Sequence, residues 1–350
     1  MPDVPLARRR LWLRLALAGE VLLFLAHGAV LGVRAPWPSG SLASGRAFEV
    51  LLAGLARLGL GSETAVPFLG AVAGSACILL VARLAAGVDG PRPLALVPSL
   101  LLASSPAFAH AAFTGGEEVV FASLLLAAAY RAFTETHTAG RLPISALFGG
   151  LAGAFGRSGI WALLALFAQR LAFVRKFQLQ PAVVVFALVW LAMALGTAFG
   201  LTILQGGAGH GPASGGTLRF ALPTGTPWTA GLRAFRGLVD AVNGLALMPF
   251  VLGLVLAWKP KEVYFRLTLV VAVLIPLLVN AGLAPAVGFS RVLAPALPFA
   301  FLIAGDALAT ADQALEGGGL RGRTRAVLGW SFVAALALAE LSPTLVGFAG

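Results

Sequence analysis

The chain alternates between long apolar runs and short polar segments along most of its length. Residues 182–204, for example, contain no Asp, Glu, Lys or Arg. A helix of about 20 residues crosses the ~30 Å hydrocarbon core of a bilayer at a rise of ~1.5 Å per residue, so each such run can span a membrane. The pattern predicts an all-α, polytopic transmembrane helical bundle with about eleven spans. These are residues 11–33, 66–86, 93–113, 117–134, 142–158, 160–174, 182–204, 241–258, 264–284, 289–309 and 325–345.

The first connection between predicted spans is long enough to hold a helix of its own. Phe48, Leu51, Leu52 and Leu55 recur there at helical spacing, and charged residues occupy other positions. This amphipathic pattern predicts a helix over 44–57 that lies in the plane of the membrane interface.

Basic residues fall in every second connection between the predicted spans. Cytoplasmic loops are enriched in Lys and Arg, so this alternation predicts a cytoplasmic N-terminus and an extracytoplasmic C-terminus. No polar stretch is long enough for a globular extramembrane domain, so residues 1–350 are predicted to form one integral membrane domain. The basic residues that set the orientation are Arg8 to Arg10, Arg83, Arg92, Arg131, Arg141, Arg170, Arg175, Lys176, Lys259, Lys261, Arg321, Arg323 and Arg325.

Composition narrows the class further. Of the 350 residues, 59% are hydrophobic and only 11% are charged, whereas soluble domains contain about a quarter charged residues. The formal net charge of +11 would indicate nucleic-acid binding on a soluble chain. Here the basic residues flank apolar runs, where anionic headgroups attract them, so no nucleic-acid partner is predicted. The lone Cys77 excludes an internal disulfide and a cysteine metal site.

Two adjacent carboxylates, Glu117 and Glu118, begin the predicted span 117–134 at its outer end. Thr114 and Glu117 have the spacing of a capping box, in which each side chain hydrogen-bonds a backbone amide at a helix start. This structural role accounts for Glu117 and leaves Glu118 without one. A carboxylate at membrane depth is costly, so Glu118 is a candidate functional residue.

Two arginines lie on the predicted outer side, where basic residues are otherwise scarce. Arg291 opens the span 289–309, and Arg157 lies between two short spans. In the structural interpretation, their long side chains reach the outer headgroups. In the functional interpretation they clamp a phosphate or pyrophosphate, because a guanidinium group forms paired, charge-assisted hydrogen bonds with phosphate.

Glu20, His27, Asp306 and Glu340 fall inside predicted spans. Asp306 is near an inner end and is expected to be solvated or capped. Glu20 and Glu340 lie deeper and need partners, such as Arg14 or polar groups on other helices. A proton or ion pathway is the functional alternative for these residues.

These features resemble the polytopic GT-C glycosyltransferases, of the protein mannosyltransferase and lipid A aminoarabinose transferase type. The resemblance covers about residues 10–310 and leaves 325–345 as an additional span. It is carried by the amphipathic first-loop helix, a Ser-Pro stretch leading to an outer acid, a turn before an inward span, and a late R-x-L-x-P-x-L-P motif. In this chain these are 44–57, Ser105-Pro106 to Glu118, Gly156-Arg157-Ser158-Gly159, and Arg291 to Pro298.

The resemblance implies a transferase that uses a polyprenyl-phosphate-linked sugar on the outer face of a bacterial cytoplasmic membrane. It assigns Arg291 to the lipid-linked phosphate, with Arg157 and His110 as further candidates for binding that phosphate or the substrate. The implied partners are the lipid-linked sugar and membrane lipids, with a membrane protein partner as an alternative.

Glu117, Glu118 and Glu49 are the candidate catalytic carboxylates. Inverting sugar transfer needs a base to deprotonate the acceptor, and the Glu117/Glu118 pair has alternative roles as contacts to the acceptor or to a divalent metal ion. The family places its catalytic Asp just before the first-loop helix, whereas residues 38–45 contain no acid here. Either one of these glutamates supplies the base, or the chain is a degenerate member that no longer catalyses.

Three functions therefore remain open. The first is a membrane glycosyltransferase. The second is a catalytically inactive subunit with the same fold that acts as a scaffold or lipid-binding partner. The third is a transporter with Glu20, Asp306 and Glu340 as coupling sites; it ranks last because transporters often contain inverted repeats, and none is evident here.

Overall fold

A computed structural model of the chain describes residues 6–34, 46–89, 93–134, 144–155, 293–317 and 323–349, with short helical pieces between 188 and 251. Within these residues the chain is entirely helical and contains no strand, which confirms the all-α prediction for this part. The helices, numbered in chain order, are α1 Leu6–Arg34, α2 Arg46–Arg57, α3 Ser62–Asp89, α4 Val97–Ser104, α5 Pro106–Thr114, α6 Glu117–Thr134, α7 Ile144–Phe155, α8 Leu297–Gly317 and α9 Arg323–Ala349. Short 3-10 helices, Pro93–Leu96 and Ala294–Ala296, precede α4 and α8.

Three of these segments are long and apolar enough to cross a membrane. They are Leu11–Val30 in α1, Glu63–Ala86 in α3, and Ala294–Asp312, which joins a 3-10 helix to α8. Helices α5 and α6 pass the same test only together, and they are bent by 112° at the break between them. The described residues therefore contain three candidate spans, or four if the bent pair forms one. These lengths and compositions are those of an integral membrane protein.

Helix α4 lies at the centre of the described bundle. It contacts α1, α3, α8 and α9, and seven of its eight residues are buried. Gly305 of α8 lies so close to α4 that a Cβ atom there would overlap the ring of Pro98. Small residues at helix crossings allow this kind of close approach in membrane bundles. Helix α6 packs elsewhere in the bundle, against α3 and α7.

Ring contacts show that α1 and the α4–α5 segment run in the same direction. The ring of Phe24 lies 5.8 Å from that of Phe108 and 5.3 Å from that of Phe113, measured between centroids. One turn further along α1, Gly28 lies against Phe113. Residue numbers therefore rise together along the two segments.

Helix α3 runs opposite to α1. Gly74 lies against Phe24 in the middle of α1, whereas Gly70 lies against the backbone carbonyl of Ala112 near the end of α5. The α3 residue with the lower number thus meets the later part of the α4–α5 segment. The first helices of the bundle therefore run alternately up and down.

The predicted span 93–113 is not one continuous helix. It consists of a 3-10 helix, α4 and α5, with the last two separated at Ser105. Pro106 causes the break, because proline lacks an amide proton and disfavours helical conformation in the residue before it. Ser105 is accordingly extended, with φ −72° and ψ 117°, and its hydroxyl accepts a hydrogen bond from the Phe108 amide at 3.4 Å, which caps α5.

Two other predicted segments can be compared with the structure. Helix α7 covers 12 residues of the predicted span 142–158, and the residues on either side of it lie outside the described ones. Helix α9 contains the whole of the predicted segment 325–345. The predicted spans 160–174, 182–204, 241–258 and 264–284 lie outside the described residues except for short pieces.

Candidate functional site at the α5–α6 break

Two glycines form the sharp break between α5 and α6. The amides of Gly115 and Gly116 both donate to the carbonyl of Ala111, at 3.0 and 3.1 Å, which closes α5. Gly116 then adopts φ +74°, a left-handed conformation that a residue with a Cβ rarely takes. Its carbonyl accepts from the Val120 amide at 2.9 Å, which opens α6. The glycine therefore sets the direction in which the next helix leaves.

The predicted capping box between Thr114 and Glu117 is not formed. Thr114 is the last residue of α5, and its hydroxyl donates back to the carbonyl of His110 at 2.6 Å. Helix α6 begins at Glu117, so the residue preceding it is Gly116 rather than Thr114. The prediction was wrong because a threonine hydroxyl can also bond the carbonyl four residues earlier when its own helix continues. Glu117 thus loses the structural role that the sequence pattern gave it.

The amphipathic helix α2 packs against this break. Phe48 is only 2% exposed, and a Cβ atom on Gly116 would lie 3.2 Å from its ring. The same Cβ would lie 3.3 Å from the carbonyl oxygen of Val66 in α3. The absence of a side chain at Gly116 thus allows α2, α3 and the start of α6 to meet at one point. The structure has a helix in this segment at Arg46–Arg57, close to the predicted 44–57, and its location in the membrane interface stays a prediction.

Glu117 and Glu118 occupy the first turn of α6 at this meeting point. Both side chains are half-buried. The amides of a first helical turn carry partial positive charge, which stabilises carboxylates there. A half-buried pair at such a position can accept a proton or hydrogen-bond a hydroxyl group of a substrate.

The remaining predicted site residues are placed differently. Glu49 follows Phe48 in α2, but its side chain is exposed, as is that of His110 in α5. The Thr114 hydroxyl lies 3.5 Å from Nδ1 of His110. Arg157 and Arg291 lie outside the described residues. Within the described residues, α2 therefore lies against Gly116, which directly precedes the two carboxylates.

A divalent metal ion at the carboxylate pair was one of the sequence alternatives. No group of three or more His, Cys, Asp and Glu side chains that could hold a metal ion occurs in the described residues. Within that part of the chain, Glu117 and Glu118 have no third protein ligand of this kind beside them.

The late proline motif reaches the same helices. Leu293 is buried, and the 3-10 helix Ala294–Ala296 contacts both α5 and α6. Leu293 follows Arg291 by two positions, and the 3-10 helix follows it by three to five. The 3-10 helix and the α5–α6 region are thus neighbours in the fold, although Thr134 and Ala294 are 160 positions apart in the chain.

A second polar region lies between α1 and α4. Glu20 is 6% exposed and hydrogen-bonds Ser99, and His27 hydrogen-bonds the backbone of Ala103. Of the two kinds of partner expected for Glu20, the structure shows a polar group on another helix, Ser99, whereas Arg14 is exposed. Ser99 itself was not among the residues predicted from the sequence. The spacing of Glu20 and His27, seven residues apart and therefore on one helix face, was the signal that could have pointed to a polar interface.

The Ser99 hydroxyl cannot donate a hydrogen bond to Glu20 while it donates one to the backbone of Leu96. Its hydroxyl donates to the carbonyl of Leu96 at 2.8 Å, and a serine hydroxyl has a single proton. Oε2 of Glu20 is buried, with no hydrogen-bond partner among the residues that the structure describes. The carboxyl group is therefore short of hydrogen-bond donors.

The expectation that Asp306 is solvated is also wrong. It is 8% exposed and lies in the middle of α8, inside the candidate span Ala294–Asp312. Asp306 was expected to contact solvent because it is close to the predicted inner end of its span. The helix continues to Gly317, however, and this part of it packs inside the bundle.

Comparison with protein-family models, with curated proteins and with solved structures finds no match for the chain. The function of the α5–α6 site is therefore inferred from its own residues. Its features are two half-buried carboxylates at a helix start, a glycine with a left-handed backbone directly before them, and helix α2, whose Phe48 lies against that glycine.

Proposed function

We propose that the chain is a membrane glycosyltransferase-like protein that takes a sugar from a polyprenyl-phosphate carrier on the extracytoplasmic face of a bacterial cytoplasmic membrane. The observation that supports this most is the convergence of three distant segments. Helix α2 lies against Gly116 at the α5–α6 break, and α6 starts there with Glu117. The 3-10 helix that follows Arg291 contacts both α5 and α6. These are the segments on which the resemblance to GT-C transferases rests.

In this proposal Glu117 and Glu118 share the role of base for the acceptor hydroxyl. With the capping box absent, both are candidates, whereas the exposed Glu49 is less suited. Arg291 holds the phosphate of the donor. It precedes the buried Leu293 by two residues, and two residues of chain reach at most about 7 Å.

His110 and Arg157 are further contacts to the donor in the same proposal. His110 lies one helical turn before Thr114, at the end of α5 that leads into the break. Its exposed imidazole is placed to meet a group that approaches from outside the helix bundle.

The proposed topology has eleven spans, a cytoplasmic N-terminus and an extracytoplasmic C-terminus. The opposite directions of α1 and α3, and the parallel course of α1 and α4–α5, support the alternation in the first part of the chain. Because Gly305 of α8 meets Pro98 at the start of α4, while the preceding 3-10 helix contacts α5, α8 runs opposite to α4–α5. This agrees with a span that enters from the outer face.

The second candidate function is a catalytically inactive subunit that binds the same lipid. It is favoured by the lack of any acid in residues 38–45 and by the exposed position of Glu49. The two functions share the phosphate contact and differ in the role of the carboxylates.

The test uses the purified full-length chain in lipid nanodiscs with polyprenyl phosphate and with polyprenyl-phosphate-linked hexose or pentose. Arg291→Ala should weaken binding of polyprenyl phosphate about tenfold or more, because a charge-assisted phosphate contact is lost. Glu117→Gln and Glu118→Gln should leave binding intact and lower sugar transfer, the stronger effect identifying the base. Glu63→Gln is the matched control, since Glu63 is an exposed acid in the first turn of α3.

The results separate the two candidates. Lipid binding without sugar transfer, with both glutamate variants equal to the parent protein in cells, would establish the inactive subunit. A folded chain that neither binds polyprenyl phosphate nor transfers sugar would refute the proposal as a whole.

A further inference from the structure

The second polar region borders a cavity of about 220 Å³. The cavity is half-open and lies between α1, the 3-10 helix before α4, α4 itself and α9. Among the residues that the structure describes, Glu20 is the only charged one that lines it. The other main lining residues are Gly19, Leu23, Leu96, Leu100 and Trp330.

The size and walls of this cavity suit a small organic molecule. An apolar cavity of about 150 Å³ can hold benzene, so this one accommodates a somewhat larger compound with a short aliphatic or aromatic part. Four of the walls are leucine or tryptophan side chains, which favour apolar groups. The carboxyl group of Glu20 marks the place in the cavity where a polar group of the ligand would bind.

The hydrogen-bonding state of Glu20 indicates what that polar group is. Ser99 gives its proton to Leu96, and Oε2 of Glu20 lacks a partner among the described residues. Among the described residues, Oε2 of Glu20 thus has no donor and no cation lines the cavity, and an acidic or neutral acceptor group would supply neither. A protonated amine brings three N–H donors and a charge together. Trp330 adds an indole ring to the same cavity, and indole rings attract organic cations.

The depth of Glu20 argues against a lipid headgroup as the source of this amine. Glu20 is the tenth residue of the 20-residue segment Leu11–Val30, about 14 Å from either end. A headgroup ammonium stays at the membrane surface and does not reach that level. The site is also distinct from the α5–α6 break. Phe113, near the end of α5, meets α1 at Gly28, and Gly28 lies about 12 Å from Glu20 along the helix.

We propose that this cavity binds a small hydrophobic ammonium compound, with its charged nitrogen on Glu20 and its apolar part against Leu23, Leu100 and Trp330. The inference does not rest on the proposed transferase function. It assigns the buried polar interface of α1 and α4 a ligand-binding role.

The test compares 2-phenylethylammonium with 2-phenylethanol, a neutral compound of nearly the same shape. Their binding to the full-length chain in nanodiscs is measured by calorimetry at one fixed pH near neutrality. The parent protein should bind the amine at least about tenfold more tightly than the alcohol, because a charge-assisted hydrogen bond is made only with the amine. Glu20→Gln, which keeps the side-chain volume, should remove most of this preference.

A second variant separates the charge from the cavity itself. Ala16 also lines the cavity, and Ala16→Phe should fill part of it and weaken binding of both compounds. Gly329→Phe is the matched control, because nothing lies within 4 Å of a Cβ atom at that position and it is not part of the cavity wall. Thermal unfolding confirms that each variant is folded.

Three results would overturn the proposal. The first is equal affinity of the parent protein for amine and alcohol, and the second is an amine preference that survives in Glu20→Gln. The third is the absence of amine binding to a folded parent protein. If Glu20→Gln does not fold, undiminished amine binding by Ala16→Phe would overturn it as well.

Discussion

Helices α1 and α8 have nearly equal hydropathy over segments of 20 and 19 residues, yet their surroundings differ widely. In α1, 22% of the candidate span is buried, whereas in Ala294–Asp312 the share is 83%. Apolar composition therefore shows that a segment can lie in a membrane, and it does not show how many protein neighbours the segment has. A bilayer and a helix bundle are both apolar surroundings, so hydropathy does not distinguish them.

The side chains of the two helices explain the difference. Helix α8 has small buried residues, including Ala300 and Ala304, and at Gly305 the absence of a side chain lets α4 approach closely. Helix α1 carries large exposed side chains, such as Trp12 at 68% and Leu22 at 66% exposure. Those side chains occupy the space that another helix would need, and their apolar surface suits contact with lipid.

The buried face of α1 is also its most polar face. Glu20, Phe24, His27 and Gly28 are buried and recur at helical spacing, whereas the exposed face is mainly Leu, Ala and Trp. This arrangement is the reverse of a surface helix in a soluble protein, where the polar side faces outward. It follows from the membrane surroundings, because ionisable side chains inside a bilayer face the bundle interior, where they find partners.

The two helices should differ most in how much the free energy of unfolding falls when a large side chain is removed. Phe301 in α8 is fully buried, and Phe301→Ala should lower the free energy of unfolding by about 3–5 kcal/mol, because the cavity left behind loses its packing contacts. Leu22→Ala in α1 should change it by no more than about 0.5 kcal/mol, since lipid fills the space. Unfolding by detergent titration in bicelles measures both. Equal losses would mean that α1 also has protein packed over Leu22.

A smaller contrast is expected for the addition of one methyl group. In α8, Gly305→Ala would place a Cβ atom against the rigid ring of Pro98 and should cost about 1–3 kcal/mol. In α1, Gly19→Ala meets nothing within 4 Å and should be neutral or stabilising by up to about 1 kcal/mol through helix propensity. The thermal unfolding midpoints of the two variants should therefore move apart. A stable Gly305→Ala protein would show that α4 and α8 can separate at this crossing.

The last contrast concerns the directions in which α1 and α8 cross the membrane. Its test does not depend on a change in stability. The proposed topology has α1 leaving the cytoplasm and α8 returning to it. Reporter fusions after Arg92, Arg141, Arg175, Lys261 and Arg323 should all give a cytoplasmic signal. An extracytoplasmic signal at two or more of these positions would invalidate the eleven-span topology, whereas the packing of the described helices against one another would stand.

Local patterns in the sequence determined the helical class, the membrane setting and the approximate ends of several helices. The apolar runs located α1, α3 and α8, because a bilayer requires about 20 apolar residues regardless of what lies beside them. The amphipathic spacing around Phe48 located α2. Each of these features depends on neighbours within a few residues along the chain, so no tertiary information was needed.

Only the tertiary structure decided which partners the polar groups have. The capping box at Thr114 was a sound local pattern, but the left-handed Gly116 and the helix packed over it start α6 elsewhere. Glu20 finds Ser99, a residue 79 positions away, rather than the nearby Arg14. The physical reason is that a buried polar group is stabilised by whichever partner the helix packing brings within hydrogen-bonding distance, and packing joins residues that no local pattern relates.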